Sequence, residues 1–122
     1  MATPNIVGVT SIYGNSSGYE LTTNSPFTLV TNPASSGKVF KVNMCRVAND
    51  NGSSSADVTV QVYKADTTST HALAYTIAVP ADSALTVIDK DSSVYLREGD
   101  YIRAIASTGN YLSVVTSWEE IN

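Results

Sequence analysis

Catalysis by this sequence would have to begin from one histidine, one cysteine and a row of hydroxyl groups. His71 follows the stretch Thr67-Thr68-Ser69-Thr70, which places a nucleophilic hydroxyl close in sequence to a side chain of the type that often acts as a base. Cys45 is the only cysteine, and a reactive thiol would need a base beside it. The sequence contains no nucleophile elbow, and no spacing brings His71 and Cys45 together. We therefore expect a solvated His71, an unreactive Cys45 that is buried or half-buried, and no catalytic residues.

Acidic side chains offer two further kinds of chemistry, calcium binding and glycoside hydrolysis by a carboxylate pair. Calcium could use the loop Asp50-Asn51-Gly52 or a later set of carboxylates, namely Asp89, Asp91, Glu98 and Asp100. The closing glutamate of an EF-hand loop is missing, and one His and one Cys are too few for a zinc site. So short a chain has little material for a deep cleft, and Glu119 and Glu120 have the position of solvated end charges. We expect turn and surface roles for these acids, and neither a metal site nor a cofactor.

Seven tyrosines and one tryptophan could serve a protein interface or a sugar-binding platform. Tyr suits interfaces because it combines a stiff apolar ring with one polar atom, and Trp118 would be the centre of a surface that stacks on sugar rings. Five tyrosines lie inside strand patterns, where aromatic rings pack across neighbouring strands: Tyr63, Tyr75, Tyr95, Tyr101 and Tyr111. Structural packing is therefore the first expectation, an interface the second and sugar stacking the third. The sequence does not identify the binding residues.

Length and charge exclude several classes of protein. A chain of 122 residues corresponds to a single domain, 1–122, of which residues 1–5 lack a core pattern and could form a loose arm. The net charge is −4 and the seven Lys and Arg residues are scattered along the sequence, which disfavours binding to nucleic acid or to anionic lipid. No apolar run approaches the roughly 20 residues of a membrane-spanning helix. The first five residues also lack the features of a signal peptide, so we expect synthesis in the cytoplasm.

Apolar and polar residues alternate with a period of two through most of the chain, which is typical of half-buried strands. In the clearest case, 58–63, three valines occupy one face and more polar residues the other. The other predicted strands are 6–13, 27–31, 38–48, 71–79, 85–89, 94–97, 101–107 and 111–118. In 71–79 the pattern places Leu73, Tyr75, Ile77 and Val79 on one face, with small Ala residues on the other. The last two strands are expected to form a hairpin. These strands predict an all-β antiparallel β-sandwich, jelly-roll or Ig-like, with about 8–9 strands.

Turn-forming residues separate the predicted strands. The stretch 49–55 is rich in Asn, Gly and Ser, whose side chains bond to nearby backbone or accept a positive φ. Glu98-Gly99-Asp100 predicts a tight turn that needs the conformational freedom of glycine. The tripeptide Asn15-Ser16-Ser17 is also assigned to a loop.

Several stretches of the chain share a resemblance that covers nearly its whole length. They are 8–14, 37–43, 56–60, 79–90, 95–100 and 114–121. Together they resemble small virion structural proteins of tailed bacteriophages. The resemblance implies a non-enzymatic building block of the head, neck or tail, and it carries over no catalytic or metal-binding residue.

Two functional hypotheses follow. The resemblance implies a virion structural protein, most specifically a head decoration or cement protein that binds other virion proteins in many symmetric copies, as a homo-oligomer or a lattice-bound subunit. A neck, collar or tail accessory protein is an alternative within the same class, and in each case neither nucleic acid nor membrane is an expected partner. Strand edges, which can accept a strand from a partner, would supply contacts together with the N-terminal arm and exposed tyrosines. The second hypothesis is a stand-alone carbohydrate-binding β-sandwich module centred on Trp118.

Overall fold

The computed structural model describes Gly8 and residues 11–122, and within them it places nine β-strands in two antiparallel sheets. The strands are β1 (Ile12–Leu21), β2 (Phe27–Thr31), β3 (Val39–Asn49), β4 (Ala56–Lys64), β5 (Ser69–Val79), β6 (Ala84–Ile88), β7 (Val94–Leu96), β8 (Tyr101–Ala106) and β9 (Leu112–Ile121). A short 3-10 helix, Lys90–Ser92, separates β6 from β7. The predicted all-β sandwich is therefore confirmed. None of the helical structure in the described residues is long and apolar enough to cross a membrane.

The order of the strands identifies the kind of sandwich. One sheet has the order β1-β9-β3-β6, with β7 also pairing with β3, and the other has the order β2-β8-β4-β5. β6 and β7 pair with different segments of β3, so they act as one interrupted strand along the same side of it. When β6 and β7 are counted as one strand, the sandwich has eight strands. The first then pairs with the last, the second with the seventh, the third with the sixth and the fourth with the fifth. This nested pairing is the topology of a jelly roll, which distinguishes it from the Ig-like alternative.

The hydrophobic core lies between the two sheets and follows the alternation of the sequence. In β4, Val58 and Val60 are 0% exposed and Val62 is 7% exposed, as the sequence predicts. The opposite sheet contributes Val42 and Val114, both 0% exposed. Full burial of a valine contributes roughly 1.5–3 kcal/mol, so this interior determines which faces of the strands remain for other contacts.

β1 is the largest departure from the predicted strands. The sequence predicts a strand over 6–13 and a loop at Asn15-Ser16-Ser17, whereas β1 runs from Ile12 through these residues to Leu21. Residues 6, 7, 9 and 10 lie outside those that the structure describes. β1 pairs with β9 along its whole length, and most of its residues are exposed. It is therefore a strand because of this pairing, and not because apolar and polar residues alternate in it.

The predicted closing hairpin is wrong. β8 pairs with β2 and β4 in one sheet, while β9 pairs with β1 and β3 in the other, so the connection 107–111 crosses from sheet to sheet. In this connection, Gly109 lies so close to Thr22 that a Cβ atom would be 2.3 Å from the Thr22 carbonyl oxygen. Period-two alternation identifies strands but carries no information on the sheet that each one joins.

β5 is irregular along its pairing with β4. The register shifts twice opposite the segment from Val58 to Gln61, and Thr76 has a left-handed backbone with a φ of 51°. Such bulges change which side chains point to the core, so the single face predicted for 71–79 is not maintained. The strand ends at Val79, before Pro80, as the sequence predicts.

The loop after β3 has the predicted turn chemistry. The Asn51 side-chain oxygen accepts hydrogen bonds from the backbone N–H groups of Ser53 and Ser54, both at 2.9 Å. The buried Asn49 side chain donates to the carbonyl oxygens of Ser54 and Val79, also at 2.9 Å. These bonds attach the loop to the end of β5 and satisfy backbone groups at this end of the sandwich.

Candidate assembly surfaces

The two residues best suited to nucleophilic catalysis lie in different sheets. Cys45, in β3, is 0% exposed, and burial raises the pKa of its thiol to about 11, so the expected burial of Cys45 is confirmed. His71 is exposed on β5, where its Nε2 atom lies 3.0 Å from the Ser69 hydroxyl oxygen. That hydroxyl lies 2.7 Å from the Thr67 hydroxyl. The structure therefore brings His71 and a neighbouring hydroxyl together, but on an open surface rather than in a cleft.

The carboxylates near the end of the chain are bound to neighbouring groups. Glu120 accepts a hydrogen bond from the Lys38 ammonium at 3.1 Å, and Glu119 accepts one from the Asn43 amide at 3.3 Å. The expectation of solvated end charges is wrong, because β9 continues to Ile121 and holds both side chains half-buried on the sheet. Asp89 has a turn role as expected, since it caps the 3-10 helix through two backbone N–H groups.

Glu98 and Asp100 are buried, which corrects the expectation of surface carboxylates. Asp100 is 1% exposed and accepts hydrogen bonds from the Lys64 ammonium at 2.6 Å, the Ala65 N–H at 2.9 Å and the Arg97 N–H at 3.0 Å. Glu98 is 5% exposed and accepts a hydrogen bond from the loop that follows β2. Both carboxylates thus fasten loops at one end of the sandwich, a role that the pattern of a tight turn does not reveal.

Two carboxylates do meet beside the loop proposed for calcium. Glu20 and Asp50 both accept from the Ser113 hydroxyl, at 3.2 and 3.0 Å. Desolvation and the Asp50 carboxylate raise the pKa of Glu20 above its ordinary value. Two carboxylates and one hydroxyl are fewer ligands than calcium takes, and the described residues contain no cluster of three or more His, Cys, Asp or Glu that could hold a metal.

Half of the ten aromatic residues pack within the fold, and the other half are exposed. Trp118 is half-buried against the core, and its Nε1 atom lies 3.4 Å from the Glu120 carboxylate. Tyr63 and Tyr101 stack across β4 and β8, with ring centroids 4.8 Å apart and planes inclined by 16°. The aromatic side chains that are exposed lie on four different strands: Tyr13, Tyr19, Phe27, Tyr75 and Tyr95. Trp118 is therefore not the centre of a flat aromatic platform.

An open depression of about 550 Å³ lies over β3, β6 and β9. Three of the basic residues that are scattered in the sequence line it together, namely Lys41, Arg46 and Lys90. Asp89 and Glu119 line the same depression, so its charge is mixed. Clustering of these cations is a property of the fold that their sequence positions do not predict.

The free edge of β5 presents large apolar side chains. Leu73 is 36% exposed, Tyr75 70% and Ile77 41%, and we refer to these three residues as the β5 strip. β5 pairs with β4 alone among the described strands, and its eleven residues include no Asp, Glu, Lys or Arg. Monomeric proteins usually protect an exposed edge with charges, so an uncharged apolar edge indicates a contact surface.

The free edge of β1 is a second exposed surface, on the opposite side of the sandwich. Ile12 is 53% exposed, Tyr13 61% and Tyr19 40%, and the Tyr19 ring lies 4.8 Å from the ring of Phe27 in β2. The sequence pattern does not predict this edge, because Asn15-Ser16-Ser17 has the composition of a loop. One signal was present in the sequence: Tyr13 and Tyr19 are six residues apart, which places them on the same face of an extended strand.

No protein-family model matches the chain, and no curated protein matches it.

Solved structures show a similar fold. A chain from Bacillus endospore appendages, a family of disulfide-linked pili, has a TM-score of 0.54 and 14% identity, over 92% of this chain and 88% of that one. A chain from the acid-stable capsid of Helicobacter pylori bacteriophage KHP30 has a TM-score of 0.52 and 13% identity, over 93% of this chain and 90% of that one. At this identity the likeness concerns the fold.

Proposed function

We propose that this chain is a non-enzymatic structural protein of a bacteriophage particle, most specifically a head decoration protein that binds shell proteins in many symmetric copies. The observation that carries the proposal is the β5 strip, with three large apolar side chains exposed on an uncharged edge. The jelly-roll topology and the similar chains from a phage capsid and a pilus support it, as does the resemblance to virion proteins.

The chemistry of the β5 strip favours a protein partner over a charged ligand. Removing a side chain of this size from water contributes roughly 1.5–3 kcal/mol, of which only part remains after the costs of association. One strip therefore gives a modest contact, which becomes effective when many copies bind to a repeating lattice. Because the strip lacks charge, we expect its binding to a shell protein to change little between 0.1 and about 1 M salt.

The bulges of β5 indicate how such a contact forms. Two register shifts and the left-handed Thr76 interrupt the row of backbone groups that a partner strand would need. A bulged edge resists strand addition, so the β5 strip would bind through its side chains rather than through a main-chain ladder. The expected partner is an apolar depression or a flat apolar surface on a neighbouring shell subunit.

A location at the neck, collar or tail is the alternative within the same proposal. The quantity that separates these locations is the copy number, because a closed ring contains about a dozen copies and a tiled head or tail contains on the order of hundreds. Quantitative mass spectrometry of purified particles, scaled to the major shell protein, measures it directly. Absence of the chain from particles would overturn the proposal and would favour the sugar-binding module.

A matched pair of variants tests the β5 strip itself. Tyr75→Ser removes the most exposed ring of the strip, while Tyr95→Ser removes a ring that is 43% exposed on β7. Purified protein is added to particles that lack it, and the bound copies are counted against the shell protein. We expect Tyr75→Ser to weaken binding about 10-fold or more and Tyr95→Ser to bind like the wild type. Equal binding by the two variants would contradict a role for the β5 strip.

A further inference from the structure

β1 is the regular edge of the sandwich, in contrast to the bulged β5. Its ten residues pair with β9 in one unbroken register, from Ile12↔Ile121 to Leu21↔Leu112. Proteins usually block a free edge with proline, lysine, charges or bulges. β1 contains no proline and no basic residue, and its single charged residue is Glu20, near one end. Among the described strands β1 pairs with β9 alone, so within that part of the chain the backbone of this edge is open to another strand.

The direction of the free backbone groups follows from the end of the β1–β9 ladder. The Ser11 N–H donates to the Asn122 carbonyl at 3.2 Å, and the Asn122 N–H donates to the Ser11 carbonyl at 3.0 Å, so these two residues form a hydrogen-bonded pair. Hydrogen-bonded and non-hydrogen-bonded pairs alternate along an antiparallel ladder. Odd-numbered residues of β1 thus point their N–H and C=O groups to β9. The groups of residues 12, 14, 16, 18 and 20 point to the free edge.

The sequence of β1 is nearly symmetric about Ser16. Reading outwards from Ser16, the chain has Asn15 and Ser17, then Gly14 and Gly18, then Tyr13 and Tyr19. We propose that β1 pairs antiparallel with β1 of a second copy of this chain, about a two-fold axis that is perpendicular to the sheet and passes midway between the two Ser16 residues. The two copies would then form one continuous sheet. This inference goes beyond the proposed function, since it concerns the protein alone and does not require a phage particle.

The two-fold axis restricts the register to pairs that share a face. An axis perpendicular to the sheet keeps the same face upward in both copies, so an odd residue lies opposite an odd one and an even residue opposite an even one. Centred on Ser16, the even residues form the hydrogen-bonded pairs, which matches the direction of their free backbone groups. Gly14 then lies opposite Gly18 of the second copy, and Tyr13 lies opposite Tyr19 of the second copy.

The tyrosines favour this register over its neighbours. Tyr13 and Tyr19 would form a non-hydrogen-bonded pair, in which side chains are closest, and the symmetry creates this pair twice. Tyr13 is 61% exposed and Tyr19 is 40% exposed, so both rings have area to bury. In the adjacent register, centred on Ser17, Tyr13 would lie opposite Leu21 and the tyrosine pair would be lost. Glu20 faces Ile12 in the proposed register, so no like charges are opposed.

A single-cysteine cross-link tests both the pairing and its register. Ser16→Cys places one thiol on each side of the axis, where the two Cα atoms of a hydrogen-bonded pair lie about 5.5 Å apart, within the range of a disulfide. Gly18→Cys is the matched control on the same edge and face, with room for the new Cβ atom 3.8 Å from Val115 Cγ2. Its two copies would be separated by roughly 13 Å along the strands, too far for a disulfide. Native Cys45 is buried and does not interfere.

We expect Ser16→Cys to form a covalent dimer under mild oxidation, and Gly18→Cys to remain mostly monomeric on a non-reducing gel. Sedimentation of the wild type over a concentration series should show a monomer–dimer equilibrium, and Tyr13→Ser should weaken the dimer about 10-fold. A wild type that is monomeric at about 0.1 mM, growth past the dimer into filaments, or equal cross-linking of the two variants would overturn the pairing. The presence of the chain in purified particles and the comparison of Tyr75→Ser with Tyr95→Ser test the proposed function whether or not the dimer forms.

Discussion

The buried carboxylate of Asp100 provides the most quantitative test of how the fold is held. This side chain is 1% exposed and accepts three hydrogen bonds, from the Lys64 ammonium, the Ala65 N–H and the Arg97 N–H. Asp100→Ala would leave an ammonium without its counter-charge and two backbone donors without an acceptor. Each part-buried donor left unsatisfied costs about 1–3 kcal/mol, and breaking an ion pair from one side costs about 3–5 kcal/mol when both partners are buried and less here, because the Lys64 side chain is 27% exposed. These costs overlap, so we expect a total loss of about 3–5 kcal/mol.

Urea denaturation followed by circular dichroism measures this loss. With a slope of about 1–3 kcal/mol per M, a 4 kcal/mol loss would lower the midpoint by roughly 1.3–4 M. Asp66→Ala is the matched control, because Asp66 also pairs with a cation, the Arg97 guanidinium, but on the surface, with side chains that are 38% and 45% exposed. Such exposed pairs contribute about 0–1 kcal/mol. Asp100→Asn, which keeps the shape and one acceptor, should fall between the two.

A small loss of stability in Asp100→Ala, or a loss equal to that of Asp66→Ala, would contradict this role of the Asp100 carboxylate. If Asp100→Ala cost less than about 1 kcal/mol, or no more than Asp66→Ala, the carboxylate would not be fastening the loops at this end of the sandwich. A changed slope with an unchanged midpoint would instead report a different unfolded state.

Three further substitutions or labels test other local features. Gly99 has a φ of 88°, and a Cβ atom there would lie 2.9 Å from Ala65 Cβ. Gly99→Ala should therefore lower the free energy of unfolding by about 1–3 kcal/mol, measured by urea denaturation. An unchanged free energy of unfolding would contradict the tight turn. Desolvation and Asp50 raise the pKa of Glu20 above 4.5, so the folded state binds this proton more tightly and stability falls as the pH rises through that range. Glu20→Gln should therefore melt at a higher temperature than the wild type at pH 7 and lose this advantage below about pH 4; an advantage that persists at low pH would exclude the charge explanation. Burial raises the pKa of Cys45 to about 11. A disulfide reagent such as Ellman's should therefore label this thiol at pH 8 only when denaturant is present. Rapid labelling of the folded protein would show that the core opens.

The sequence predicts the strands whose side chains alternate between core and solvent. Predicted 58–63 lies within β4, because valines on one face have a single buried side to occupy. Predicted 27–31 coincides with β2 through the turn residues that bound it, since Leu29 and Val30 are both buried and its burial does not alternate. Alternation does not predict β1, because both faces of this edge strand are largely exposed. Its strand structure depends instead on its pairing with β9. Long-range pairing also explains the failure of the predicted hairpin, as adjacent strands β8 and β9 join different sheets.

The candidate surfaces show the same division between local and long-range information. Tyr75 is recognisable as an aromatic in a strand, but neither its 70% exposure nor the bulges of β5 can be read from the periodicity. The symmetry of 13–19 is visible in the sequence, yet it has no structural meaning until β1 is known to have an unbroken register with β9 and to lie at a sheet edge among the described strands. Likewise, Lys41, Arg46 and Lys90 meet only because β3 and β6 pair.

The edges of β1 and β5, two of the four sheet edges among the described strands, differ in mechanism, and their positions make them complementary. β1 lies beside β2 at one side of the sandwich and β5 lies beside β6 at the other. A dimer joined at β1 would consequently carry its two β5 strips at opposite ends, facing away from each other. Binding of one strip to a shell subunit would raise the effective concentration of the second strip at a neighbouring subunit, so affinity for a lattice would exceed affinity for a single site. Ser16→Pro would separate the two effects, because it removes an N–H that points away from β9: it should abolish dimerisation, leave the fold intact and reduce lattice binding to that of one strip. If this variant bound the lattice as tightly as the wild type, each copy would be attaching alone.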